Sequence, residues 1–196
     1  MGSNAARPYS SSVTIALPPW LAFAVEWDHR YESDDDKMRL AIALSRLNVE
    51  NETGGPFGAA VFELDTGRLV GIGVNSVVRL NSSTLHAEVV ALMLAEQQLA
   101  SFSLAAPGLP RHELVTSCEP CAMCLGATLW SGVKRLVCGA TRSDATRLGF
   151  DEGPVFSASY EYLAHAGIEI AREVCRAEAR AVLELYRSRS GPIYNP

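Results

Sequence analysis

Two short strings carry the residues best suited to chemistry: His86-Ala87-Glu88 and Pro120-Cys121-Ala122-Met123-Cys124. Imidazole nitrogen and thiolate sulfur are donors that zinc takes readily, and a catalytic zinc uses three protein ligands while leaving a fourth position open. Cys121 and Cys124 stand three apart, so a helix through them presents both thiols on one face. Pro120 suits the first position of that helix, where its missing N–H costs nothing. The N-terminus of a helix also supplies a positive field that favours the Cys121 thiolate. His86, at the start of another helix, completes a set of three. Glu88 lies two residues further on and cannot share a helical face with His86. It reaches the open position from the mouth of the helix, where a general base belongs.

Plainer readings compete with this one. A redox dithiol needs only the CxxC pair, but the Pro before it and the upstream His-Ala-Glu do not belong to that scheme. A closed structural zinc site is the more serious rival, because Cys118 precedes Cys121 and Cys124 in the string Cys118-Glu-Pro-Cys121. With Cys118 as fourth ligand no open position would remain. It lies at the end of an expected strand, and the chain would have to fold back for it to reach the metal. Cys138 and Cys175 read as core residues. His29, His112 and His165 stand outside any comparable pattern.

The elements that must position these residues follow from periodicity and punctuation. Ser33 and Asp34 to Asp36 cap a helix whose Met38, Ala41, Leu44 and Leu47 recur at helical spacing, ending at Gly54-Gly55-Pro56. Phe57 to Phe62 and Arg68 to Val74 flank Asp65-Thr66-Gly67 and read as a hairpin. A helix from about Leu85 to Leu99 is apolar most of the way round, with Ser82, Ser83 or Thr84 available as its cap. Strands are expected at Leu114-Val115-Thr116, Arg135 to Cys138 and Ile168-Glu169-Ile170. Helices are expected from Pro120 through Trp130 and from Ala177 to Arg187. Trp20 and Trp27, seven apart, suggest a short helix packed on the core. Alternating strands and helices predict an α/β chain: a three-layer α/β/α sandwich with a central mixed sheet flanked by helices. The expected division is an N-terminal arm over residues 1–34, one domain over 35–190 and a tail over 191–196.

The chain has 196 residues, of which 48% are apolar and 20% charged, enough for one domain with a real core. Its 17 basic against 22 acidic residues leave a net charge of −5, which disfavours a nucleic-acid partner. No run approaches the roughly 18–20 apolar residues of a membrane span, and no signal peptide is legible. Five cysteines, unevenly placed, do not form a disulfide scaffold, so the reducing cytoplasm is the default location.

The combined pattern H-x-E…P-C-x-x-C is the signature of zinc-dependent base deaminases. With it the chain resembles the cytidine-deaminase-like superfamily, and several stretches resemble its bacterial guanine deaminase branch. These are Gly54 to Gly58, Asn75, Leu85 to Val89, Ser117 to Ala127 and Gly149-Phe150-Asp151-Glu152. The resemblance implies one Zn2+ per chain on His86, Cys121 and Cys124, with Glu88 moving protons between water, ring and leaving amine. It implies that Asn75, the backbone of Ala87 and Glu152 bind the base, and that Phe57 stacks on it. Related members have Asp where Glu152 stands. A C-terminal aromatic covers the pocket in related members, in known cases from the partner subunit; Tyr194 is the candidate, with Trp130 as a neighbour of the pocket. The implied reaction is guanine plus water to xanthine plus ammonia, or the same step on a related ring such as ammeline, in a homodimer.

Each residue also has a plain reading: Asn75 as a turn residue, Phe57 as core, Glu152 in a solvated turn, Tyr194 in a frayed end. Two other functions stand beside the first. Editing of adenosine in tRNA uses the same zinc motif, and Arg172, Arg176, Arg180, Arg187 and Arg189 crowd the last helix, though Glu173, Glu178 and Glu184 interrupt them. A non-catalytic, zinc-stabilised interaction domain would need Cys118 or another group to close the metal.

Overall fold

The computed structural model describes residues 12–194. The start of the expected arm and the last two residues of the tail lie outside that range. In chain order the elements are α1 (Leu21–Ala24), α2 (Asp34–Glu50), β1 (Gly58–Glu63), β2 (Leu69–Val74), α3 (Val77–Leu80), α4 (Ala87–Gln98) and β3 (His112–Cys118), followed by α5 (Ala122–Ser131), β4 (Arg135–Ala140), α6 (Arg142–Thr146), α7 (Ser157–His165), β5 (Glu169–Ala171) and α8 (Arg176–Ser188). The sheet order is β2-β1-β3-β4-β5. β1 runs antiparallel to both β2 and β3, whereas β3, β4 and β5 are parallel, so the sheet is mixed.

The central strands are buried on both faces, and their side chains alternate between two cores as a period of two requires. Ala60, Phe62, Ile72, Val74, Val115 and Val137 face the core shared with α2 and α8. Ala59, Val61, Val70, Leu114, Leu136 and Cys138 face the core shared with α4, α5 and α7. The three-layer α/β/α sandwich follows. Met38, Ala41 and Leu44 form the buried stripe of α2, which Ser33 starts by accepting the Asp36 N–H. α4 can lie close on β2 because two glycines make room. A Cβ on Gly73 would stand 2.0 Å from the Ala87 carbonyl oxygen, and one on Gly71 2.7 Å from that of Ala91.

The structure departs from the expectations in several places. α4 is not capped by Ser82, Ser83 or Thr84: its N-cap is His86. Pro120 is not the first residue of α5, because Cys121 is the N-cap and Pro120 precedes it. Neither side chain makes a conventional capping bond; the two N-caps instead face each other across the site. α6 and α7 occupy a stretch expected to be polar loop; α6 starts from a reciprocal Thr141–Asp144 capping box. The tryptophan pair does not define a helix: α1 spans four residues, and Trp27 lies beyond it, exposed. The boundary at residue 34 is no break in packing either, because Leu21, Val25 and Tyr31 are buried in the same core as α2.

Candidate active site

The parallel strands β3 and β4 point their C-terminal ends at the N-termini of the helices that follow, the usual place for a site in such sheets. There His86 and Cys121, the N-caps of α4 and α5, meet with Cys124 from the first turn of α5. One donor atom from each of the three lies within 4.8 Å of the others. Cys121 Sγ stands 3.5 Å from His86 Nδ1. Tetrahedral zinc with ordinary Zn–S and Zn–N lengths spaces such a pair by about 3.5 Å, so the donor set fits the ion in both type and spacing. Cys118 stays apart, its thiol directed at the Thr141 carbonyl oxygen at 3.7 Å. The fourth position is therefore not closed by a third thiol.

The electrostatics suit a cation. A hydrogen bond from Cys124, then one from His86, holds the Cys121 thiol down at about 4. Cys124, as the donor to Cys121 and a buried group, is raised well above the usual thiol range. Burial disfavours the charged His86 ring, but the Cys121 thiolate and the Glu88 charge outweigh it and raise the imidazole. Glu88 is 6% exposed, and burial, then the Cys121 charge, raises its carboxyl. Its own backbone N–H and the Cys124 thiol act in the opposite sense, favouring the carboxylate.

One cavity is lined by Phe57, Asn75, His86, Glu88, Glu119, Cys121, Glu152 and Tyr194. Asn75 follows the last residue of β2 and is fully buried. Its Oδ1 accepts the Val77 N–H at 3.4 Å, while Nδ2 is buried with no partner. An orphaned amide donor in a cavity wall is a site for a ligand acceptor. Glu152, 7% exposed, is pushed up to about 8 by burial first and then by the charges of Cys121 and Glu88. Its loop is fixed to the metal helix, since the Glu152 carbonyl oxygen accepts the Ala122 N–H at 3.0 Å. Phe57 packs edge-on against Phe150 at 5.1 Å, and Phe150 in turn touches Tyr194 at 5.2 Å. Tyr194 belongs to the same chain as the site it covers, with its Oη buried and unpartnered.

Two of the expected residues do not line the cavity. Ala87, expected to act through its backbone, opens α4 between His86 and Glu88; its side chain packs into the core, which leaves the backbone expectation untouched. Trp130 is 81% exposed at the far end of α5. It stands nine residues beyond Cys121, about half a turn round the helix, so it cannot border the same pocket. Three further residues near the site are not among those expected. Glu119 accepts the Arg142 N–H at 2.8 Å and pairs with Arg172. Phe150 carries the aromatic contacts just described. Asn48 sits on the buried stripe of α2 four residues after Leu44; a polar residue there is unusual, but the spacing does not connect it with the site.

Residues 31–140 match the family described as the cytidine and deoxycytidylate deaminase zinc-binding region. The chain is 36% identical over 119 residues to a guanine deaminase of Bacillus subtilis, covering 61% of this chain and 72% of that one. It is 30% identical over 153 residues to a tRNA-specific adenosine deaminase of Buchnera aphidicola, covering 78% and 93%. Among solved structures, a guanine deaminase of Nitrosomonas europaea superposes with a TM-score of 0.87 at 41% identity, covering 93% of this chain and 100% of that one. The protein NE0047 in complex with 2,6-diaminopurine gives 0.87 at 43%, covering 93% and 96%. On these grounds the chain belongs to the cytidine and deoxycytidylate deaminase zinc-binding family.

Proposed function

We propose that the chain is a zinc-dependent guanine deaminase, turning guanine and water into xanthine and ammonia, with ring analogues such as ammeline as further substrates. The observation that carries the reading is the convergence on one cavity of the His86–Cys121–Cys124 donors, the buried Glu88 carboxyl, the orphaned Asn75 amide and Glu152. The likeness to guanine deaminases over nearly the whole chain supports the choice of base.

His86, Cys121 and Cys124 would hold the zinc ion, whose chemistry when bound would be to acidify a water toward a pKa of about 7. Glu88 would take one proton from the water as its oxygen bonds to the amine-bearing carbon and place it on the adjacent ring nitrogen. It would then carry the second proton from the new hydroxyl to the amine as the C–N bond breaks, leaving the carbonyl of xanthine and free ammonia. Its raised pKa suits both halves of that shuttle. Asn75 Nδ2 donates to an acceptor on the ring, and Glu152 offers an oxygen to ring N–H groups in either protonation state. Phe57 supplies an aromatic face, and Tyr194 closes the cavity against water.

The arginines that suggest RNA are engaged within the chain. Arg172 pairs with Glu119, Arg176 with Asp144 and Glu173, Arg180 and Arg187 with Glu184, and Arg189 donates to the Val49 and Glu50 carbonyl oxygens. A free base rather than a nucleic acid is the substrate this favours. Five unpaired cysteines accord with a reducing cytoplasm, and no helix among the described residues is long and apolar enough to cross a membrane. Exposed Met93, Met123 and Trp130 on α4 and α5 support a homodimer.

The test is ammonia release by zinc-loaded protein from guanine, ammeline, adenine, cytosine, cytidine and tRNA. Guanine turnover well above the others supports the proposal, and turnover of tRNA adenosine alone defeats it.

A further inference from the structure

The N-terminal segment reaches the wall of the site through a hydrogen-bonded relay centred on Asn48. This residue lies in the last turns of α2 and is fully buried. Both donors and the oxygen of its side chain are engaged: Nδ2 donates to the Gly55 and Asn75 carbonyl oxygens, each at 2.9 Å, and Oδ1 accepts from Thr53 Oγ1 at 2.8 Å. Thr53 Oγ1 accepts in turn from Trp20 Nε1 at 3.1 Å. Trp20 precedes the stretch that matches the family, residues 31–140. One side chain thus joins three stretches: the N-terminal segment, the Gly54 to Phe57 loop and the end of β2.

The join has no slack. A Cβ on Gly54 would stand 2.0 Å from the Asn75 carbonyl oxygen and 2.7 Å from Asn48 Nδ2. The Asn75 N–H donates to the Phe57 carbonyl oxygen at 3.1 Å, so Asn75 and Phe57 are placed relative to each other as well as to Asn48. These two offer the edge and face contacts of the cavity. Only an amide presents two N–H donors in one plane to two convergent carbonyls while also accepting a third bond. An Asp in its place would turn a carboxylate oxygen toward one of those carbonyls, and a Leu would leave both without the bond.

We infer that Asn48 is a positioning residue for base recognition, with Thr53 and Trp20 as its outer support. The inference rests on the guanine deaminase reading. Asn48 touches no substrate: it sets the backbone from which the Asn75 amide is aimed.

The test compares wild type with Thr53→Val, which removes one hydroxyl at nearly constant volume, with Trp20→Phe, which removes the indole N–H along with part of the ring system, and with Thr53→Ser, which keeps the hydroxyl. Asn48→Asp is the central variant, and the outer pair keeps the inference testable if it fails to fold. The expected result is a KM for guanine raised roughly three- to tenfold in Trp20→Phe and Thr53→Val, with kcat within about twofold. Zinc content stays at one per chain, and Thr53→Ser returns KM toward wild type. Wild-type kinetics in both outer variants overturn the positioning role while leaving the functional reading intact. So do KM and kcat that worsen together with loss of zinc or a lowered melting temperature. A wild-type protein inactive on guanine defeats the functional reading and this inference with it.

Discussion

On the proposed function Glu88 and Asn75 divide the work of the site between proton transfer and base recognition, and both side chains are buried. The Asn75 Nδ2 has no internal partner, so its removal leaves the fold little changed but deprives a bound base of one hydrogen bond. Asn75→Ala is expected to lower kcat/KM for guanine by roughly 10- to 100-fold, the cost of about 1–3 kcal/mol for one buried bond, with zinc content unchanged. Steady-state kinetics beside metal analysis check it; loss of zinc in this variant would mean that Asn75 has a structural role. The ligand set is legible in the sequence because metal chemistry restricts both residue type and spacing. Asn48 is not legible there as a site residue, because nothing in its neighbours along the chain reveals the carbonyls of Gly55 and Asn75 that it joins. Trp130 is a large aromatic near the ligands in sequence, which invites a place at the pocket; its half-turn offset from Cys121, present in the spacing, excludes it.

At the scale of elements, the site depends on two helix starts whose N-caps are two of the three candidate metal donors, so the packing of α4 against β2 decides where His86 and Glu88 stand. Gly73→Ala puts a methyl 2.0 Å from the Ala87 carbonyl oxygen and must push the start of α4 off the sheet. The expected outcome is a stability loss of about 1–3 kcal/mol together with weakened zinc retention, read by denaturant unfolding and metal analysis. Asp144 ties α6 to α8. The Arg176 guanidinium, with the Thr141 backbone N–H and hydroxyl, holds its carboxyl well below the ordinary 3.8. A carboxyl lowered in the folded state stabilises the fold above its unfolded pKa and loses that contribution as pH falls through the folded one. Asp144→Asn is therefore expected to be less stable than wild type at pH 7 by about 1–3 kcal/mol, with the gap narrowing below pH ~4. A gap independent of pH would refute the charge-based account. Hairpin, helices and β-strands are legible from period and punctuation. α7 escapes because it buries only Leu163 and so has no apolar stripe, whereas the Thr141–Asp144 capping box does signal α6.

The molecule as a whole is arranged so that the chain's end closes what its middle builds. The cavity measures about 10 Å³, room for little more than a water, and Tyr194 forms part of its lining. On the proposed function a purine needs more room than this, so the lining must yield, and Tyr194, near the end of the chain, is the lining residue whose removal tests that. Because the Tyr194 Oη is buried without a partner, Tyr194→Phe is expected to keep or raise the melting temperature. Tyr194→Ala is expected to raise KM for guanine by up to about tenfold through the lost aromatic contact. If the chain pairs through α4 and α5, sedimentation should give twice the 21.1 kDa chain mass, and Trp130→Glu should shift it toward one.

The most direct measurement counts xanthine and ammonia from guanine in wild type and Glu88→Gln, each assayed for zinc. The account predicts one zinc per chain in both proteins and equal amounts of the two products in wild type. In Glu88→Gln it predicts a loss of at least about 100-fold in rate. Turnover in Glu88→Gln near that of wild type, or a wild-type protein that holds zinc and leaves guanine unchanged, would contradict it.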